Sequence, residues 1–224
     1  KARLLAVLDD AGMRLRFATT LYLFGLAALG TLAVGGREMA LCALAACLML
    51  LSAAMELGYE PICAGIRQRY LFSVGLRTLA LTVPLADYFG KYLMAGVASN
   101  VVLQSLMIVM LGVHLALFFA LICFNRRQSP LLRALSGVLG VFPALTASAA
   151  AALAVANLAQ PVGIAAAAML RALGATGMFL GDRLMAANAL GGIRLKYESV
   201  WEWLLLCGGL TLMTVGAWLT AAPM

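Results

Sequence analysis

The chain has 224 residues, of which 64% are apolar and 11% charged, with a mean hydropathy of +1.01 and a formal charge of +7. Soluble domains carry about 45–50% apolar and about 25% charged residues, so this composition excludes an ordinary water-soluble globule and points to a bilayer. At about 20 apolar residues per span, the length accommodates six to eight helices and leaves no room for a soluble catalytic domain.

Cys42, Cys47, Cys63, Cys123 and Cys207 form no CxxC pair and no His/Cys cluster, and four of them lie inside apolar runs where a free thiol packs as a small hydrophobe. No disulfide and no metal site is expected. His114 is the single histidine, which argues against a haem or multi-histidine zinc site, so no cofactor is expected. The basic residues sit between hydrophobic runs without interleaved aromatics, a pattern of membrane topology and not of a nucleic-acid partner.

Residues 1–16 combine Lys1, Arg3, Arg14 and Arg16 with Leu4, Leu5, Val7, Leu8 and Leu15. They read as a leader, either an amphipathic surface helix or a solvated basic segment. Residues 17–224 read as one polytopic membrane domain. Its first apolar run, 17–35, is long enough to be a span and does not read as a cleaved signal. A tight Gly-Gly-Arg hairpin joins it to a second span, 38–57. A polar loop over 58–69 precedes a third span, 70–87, and the glycine- and asparagine-interrupted segment 88–100 predicts a turn. The fourth span is 101–124, and the loop 125–130 follows it. The fifth, 132–158, carries a kink signal at Pro143. The sixth starts after Gln160 with Pro161 in a favoured first-turn position and runs towards Leu190. The seventh is 200–219, with Tyr197, Trp201 and Trp203 as an interfacial belt.

Alternating sides along these seven spans puts eleven Lys and Arg on one face and only Arg37 and Lys91 on the other. The positive-inside rule then predicts an all-α integral membrane protein of about seven helices, six to eight at the limits, with a cytoplasmic N-terminus and an external C-terminus. The expected location is the cell (inner) membrane.

Ionisable residues inside spans cost about 2.5–3.5 kcal/mol each on insertion scales, so they mark function or snorkel to an interface. The stretch from Arg171 to Leu190 carries two arginines and an aspartate in an otherwise apolar helix. At 100° per residue Arg171, Gly174, Met178 and Asp182 share a face, and Gly177 and Gly181 add a GxxxG spacing for close helix approach. Placed by depth, Arg77, Arg171, His114, Asp182 and Glu56 define one candidate polar cavity open to the cytoplasmic leaflet. Against that stand plainer roles: an interfacial Asp182–Arg183 pair, a His114 bonded to a backbone carbonyl, and a snorkelling Arg77. Asp87, beside Tyr88 and Tyr92, comes out near the opposite surface as a boundary residue.

The run Gly174-Ala-Thr-Gly-Met-Phe-Leu-Gly-Asp182-Arg-Leu-Met-Ala-Ala-Asn-Ala-Leu190 resembles the late-helix motif of the YhhN-type lysoplasmalogenase family, and Gly112-Val-His114-Leu-Ala-Leu-Phe-Phe is similar to its histidine-containing helix. The resemblance covers about half the chain. It implies an intramembrane hydrolase that cleaves the vinyl ether of lysoplasmalogens with two aspartates, and it puts Asp182 at the second aspartate position. Two residues compete for the first: Asp87, which has the acid without the family's preceding glycine, and Asn100, which has the local pattern without the acid. The family's usual eight helices exceed the count here by one, and seven put Asp87 and Asp182 on opposite sides.

On this resemblance the expected activity is lysoplasmalogenase-like hydrolysis of ether lysophospholipids, with membrane lipids as partners. Asp182 and Asp87 are the candidate catalytic carboxylates. Arg171, Arg77, His114, Asn100 and Glu56 are the candidate substrate-binding residues. The alternative expectation is a non-enzymatic membrane module, a small-molecule transporter component or a membrane sensor domain.

Single cysteines placed in a cysteine-free variant test the topology. Accessibility labelling should find the loops 58–69, 125–130 and 191–198 on the cytoplasmic face and Met224 outside. Cytoplasmic labelling of Met224 with an external first loop would mean an even number of spans.

Overall fold

A computed structural model describes residues 2–58, 66–94, 100–123, 130–191 and 198–221. Among these there is helix and no strand. The helices are α1 (Ala2–Ala33), α2 (Arg37–Gly58), α3 (Ile66–Thr82), α4 (Leu85–Met94), α5 (Asn100–Phe118), α6 (Pro130–Leu139), α7 (Val141–Ala156), α8 (Val162–Ala186) and α9 (Glu198–Ala221). Wider π-type turns extend α5 over Phe119–Cys123 and α8 over Ala187–Gly191.

Six units are long and apolar enough to cross a membrane: Arg14–Ala33, Arg37–Met55, Val101–Cys123, Pro130–Ala156, Val162–Ala186 and Val200–Thr220. A further passage between the two ends of the bundle is made by α3 and α4 together. Ser52 in α2 bonds Ser73 in α3, and Arg37 and Glu38 at the start of α2 meet Asp87 and Lys91 in α4, so α3–α4 runs antiparallel to α2 along its length. The path is therefore α1, α2, α3–α4, α5, α6–α7, α8, α9. Arg16 of α1 and the end of α9 lie at opposite ends, as an odd number of passages requires.

The breaks follow from proline. The sequence pattern reads 70–87 as one span, but Pro84 has no N–H to bond the carbonyl one turn back, and its ring disfavours helical backbone at Val83. The helix stops at Thr82 and restarts at Leu85. Helix α4 then runs to Met94, through part of the segment expected to turn. The kink expected at Pro143 falls at Gly140, because the proline sits in the first turn of α7 and the hydrogen bond it lacks is the one to Leu139. Helix α1 is continuous from Ala2, with no interruption at Phe17 where leader and span were divided. Tyr197 lies outside the described residues. Of the remaining belt, Trp201 is exposed and Trp203 donates from Nε1 to Thr19 Oγ1 of α1 at 3.0 Å.

Alanines fill much of the interior of α7, while the outside of α5 carries large apolar side chains. Helix α7 buries Ala144, Ala147, Ala149, Ala150, Ala152 and Ala154, whereas Ile108, Val109, Val113 and Phe119 on α5 are exposed to lipid. With lipid as apolar as any side chain, close packing and internal hydrogen bonds hold such helices together. The tightest seam is between antiparallel α8 and α9. A Cβ on Gly174 would stand 2.5 Å from the carbonyl oxygen of Gly209, and one on Gly209 would stand 2.6 Å from that of Gly174. Of the expected GxxxG pair, a Cβ on Gly181 would stand 3.0 Å from Leu205 and Leu206, while one on Gly177 would meet nothing closer than 3.5 Å.

Gly174→Ala should therefore cost about 1–3 kcal/mol of stability, because backbone must move to admit the methyl group. Gly208→Ala, whose Cβ would meet nothing within 4 Å, should cost nothing in the same denaturant titration in mixed micelles.

Candidate functional site

The described buried charges gather in separate places. One cluster lies at the end of the bundle that carries the α1–α2 connection. Arg171 enters it from α8, about 14 Å below the first residue of that helix at 1.5 Å per residue. Helical side chains lean towards the N-terminus, so its guanidinium rises towards this end. Its Nη2 donates to Glu38 Oε2 at 2.9 Å, to Thr220 Oγ1 at 2.6 Å and to the carbonyl of Gly216 at 3.1 Å. Thr220 in turn donates to the same Glu38 oxygen at 2.7 Å. Gly216 permits this approach, since a Cβ there would stand 2.9 Å from Arg171 Cγ.

The other oxygen of Glu38 takes the ammonium of Lys91, which also reaches Asp87 Oδ2 at 2.8 Å. Arg37 Nε closes the set on Asp87 Oδ1 at 3.3 Å. Two carboxylates, from α2 and α4, thus share one lysine. The side chain of Asp87 is only 5% exposed and that of Glu38 12%, whereas Lys91 and Arg37 reach outwards at 39% and 74%. A small cavity lies among Glu38, Cys42, Pro84, Asp87, Tyr88 and Arg171. The break at Pro84 lets α4 present Asp87 and Tyr88 to this cavity.

A second cluster occupies the opposite half. Asp182 is fully buried and bonded to the adjacent Arg183, whose Nε is 3.2 Å from Asp182 Oδ2 and whose Nη2 meets the same oxygen. Arg183 Nη1 also donates to the carbonyl of Ser136 at 3.1 Å. His114 is fully buried, and its Nε2–H donates to the carbonyl of Gly137 at 2.8 Å, which leaves the lone pair on Nδ1. Gly140 makes room for both, because a Cβ there would lie 2.1 Å from the Arg183 guanidinium and 2.4 Å from His114. Two further groups tie α1 to α9 and α8 at this end: Arg16 pairs with Glu202 at 3.4 Å and lies 3.9 Å from the sulfur of Met185.

The single cytoplasmic-side cavity expected from the sequence is thus divided. Arg171 and Asp182 do share the buried face of α8, about 16 Å apart by helical rise. Each has its own partners. The acid that meets Arg171 is Glu38, not Asp182. Asp87, expected as a boundary residue, is buried beside Glu38. Arg77 is buried in α3 and does not snorkel to the surface. The Asp182–Arg183 pair is buried within the protein, and His114 has the backbone carbonyl partner expected of its plainer role. The side chains of Glu56 and Asn100 lie outside those the structure describes. Glu38, Lys91 and Thr220 were not singled out from the sequence. Glu38 stands in the first turn of α2, where an acid is a common complement to the helix dipole. Among the described residues no group of three metal-ligating side chains occurs.

No family model, no curated protein and no solved structure matches the chain.

The Arg171–Glu38 contact generates a stability prediction. Arg171→Ala should cost about 3–5 kcal/mol, because Glu38 then keeps a buried charge with half its compensation. The Arg171→Met, Glu38→Gln double variant should recover most of that loss. Unfolding in mixed micelles measures both, and simple additivity of the two changes would rule out a coupled pair.

Proposed function

We propose that the chain is a membrane-embedded hydrolase of ether lysophospholipids, lysoplasmalogenase-like in its chemistry, with Glu38 and Asp87 as its acid–base pair. The observation that supports this reading is the meeting of two buried carboxylates on one half-exposed lysine beside a buried arginine. Hydrolysis of a vinyl ether needs an acid to protonate the β-carbon and a base to activate water. Here Lys91 is the partner able to turn outwards to a phosphate. Its departure frees one oxygen on each carboxylate for acid–base work.

The proton passes from one carboxyl group to the β-carbon, and the vinyl ether becomes an oxocarbenium ion. Water adds at the α-carbon and gives its proton to the other carboxylate. The hemiacetal then breaks its carbon–oxygen bond to release an aldehyde and a free glycerol hydroxyl. One water is consumed and nothing is oxidised or reduced. Arg37 and Lys91 supply the positive charge for an anionic headgroup, and Arg171 fixes the orientation of Glu38.

A second reading, a non-enzymatic membrane module, is favoured by a different observation. Each described buried carboxylate already has a cationic partner, and the two helix breaks, at Pro84 and Gly140, each lie beside one charged cluster. Broken helices next to polar sites suit a transporter component or a sensor domain.

Release of aldehyde from lysoplasmalogen by purified protein in liposomes separates the two. Asp87→Asn and Glu38→Gln should each lower turnover by about 10²–10⁴-fold, the usual contribution of general acid–base catalysis. If Asp182→Asn abolishes turnover while Asp87→Asn does not, the acid is Asp182. Wild type that binds the lipid and returns it intact, under conditions where an active lysoplasmalogenase cleaves it, is a binding module.

A further inference from the structure

Side chains from α2, α4, α8 and α9 enclose the small cavity beside Arg171. Three buried polar atoms that make no hydrogen bond to a described residue belong to its lining: Arg171 Nε, Glu38 Oε1 and Asp87 Oδ2. The two carboxylate oxygens are ion-paired with the ammonium of Lys91, and each keeps a further lone pair. Arg171 is 5% exposed; its Nη2 meets Glu38, Thr220 and Gly216, whereas its Nε–H finds no acceptor among the described residues. The hydroxyl of Tyr88, a residue 3% exposed, stands close enough to Cys42, Arg171, Glu38 and Asp87 to interact with all four electrostatically. A buried donor without a partner costs free energy, so this lining calls for an occupant that can bond it.

We propose that this cavity is the seat of one ordered water molecule, which accepts from Arg171 Nε and donates to Glu38 Oε1 and Asp87 Oδ2. Size and polarity select the occupant. The volume is about 10 Å³, against the about 10–15 Å³ that a single buried water needs. A bare cation would be repelled by Arg171, and an anion by the two carboxylates. Water presents both a donor and an acceptor, and with Tyr88 as a further partner it reaches the two to four bonds usual for an internal water. It ties Arg171 of α8 to Asp87 of α4, whose ion pairs otherwise run to Glu38 in the one case and to Lys91 and Arg37 in the other. The seat rests on the cavity alone. On the hydrolase reading above, it holds the water that the reaction consumes, already in contact with both acids.

The experiment uses the full chain in detergent micelles, deuterated and isotope-labelled at arginine, with the Nε–H signals of Arg171 and Arg183 assigned by substitution to lysine. Magnetisation transfer from water should give the Arg171 Nε–H a cross-peak of dipolar sign, which chemical exchange does not share in the rotating frame. The peak should survive Tyr88→Phe, which removes a hydroxyl able to relay the signal. Arg183 Nε–H is buried and bonded to Asp182 Oδ2 at 3.2 Å, so it should give no such peak, and it controls for relay through a guanidinium's own protons. Cys42→Leu and Ala217→Val add carbon to the lining from α2 and α9. Each should abolish the Arg171 peak and lower the unfolding temperature, because the Nε–H then loses its partner. Cys47→Leu, outside the lining, should leave the peak in place. A wild type without the peak, a peak of exchange sign only, or one that persists in a filled variant overturns the proposal. So does loss of the peak when choline chloride is exchanged for sodium chloride, which would make the occupant a cation. Where a filled variant does not fold, the comparison of Arg171 with Arg183 in the wild type still decides. Aldehyde release is read from the same protein in liposomes. Water at Arg171 without aldehyde keeps the seat and removes the hydrolase reading, and aldehyde without that water does the reverse.

Discussion

A guanidinium carried into the middle of an apolar helix has to be met by protein, because lipid offers it nothing. Arg171 is met by a carboxylate from α2, a hydroxyl and a carbonyl from α9, and it thereby determines which helices stand together. The arrangement works only if α9 lies almost in backbone contact with α8. The glycines Gly174, Gly209 and Gly216 provide that contact, so the polar and the steric halves of the design depend on each other. Removing either leaves the other costly.

Charge is also segregated along the bundle. One end holds Arg37, Glu38, Asp87, Lys91 and Arg171, three cations on two acids. The other half holds Arg16 on Glu202 and Arg183 on Asp182, with each acid matched. In the first cluster Lys91 and Arg37 reach outwards, whereas the Arg16–Glu202 and Arg183–Asp182 pairs are enclosed.

Much of the architecture was legible from hydropathy and charge. Apolar runs of about the right length located the single-helix spans, and the lysine and arginine count separated the two ends without reference to contacts. Pro84 was passed over because the run around it stays apolar. Hydropathy measures how comfortable a segment is in lipid and does not see a missing N–H. The face of α8 was read correctly from its 3.6-residue period, yet its partner was not, because Glu38 lies 133 positions away and no periodicity links two helices across that distance. Depth along one helix is a local property; which acid stands opposite is a property of the packed bundle. The same limit explains why Arg171 and Asp182, correctly placed on one face, were assigned to one cavity.

The pairings that cross the bundle are also the ones that close it in time. Arg16 and Glu202 are separated by 186 positions, so the first helix leaves the ribosome long before its counter-charge exists. At about 5–20 residues per second the interval is about 10–40 s. Through that interval Arg16 and Glu38 have to remain at the membrane surface or find temporary partners, and the arrival of α8 and α9 is what draws them inside. The arrival of α9 thus helps convert the earlier spans into a bundle, and the Arg16–Glu202 pairing forms late in the synthesis of these helices.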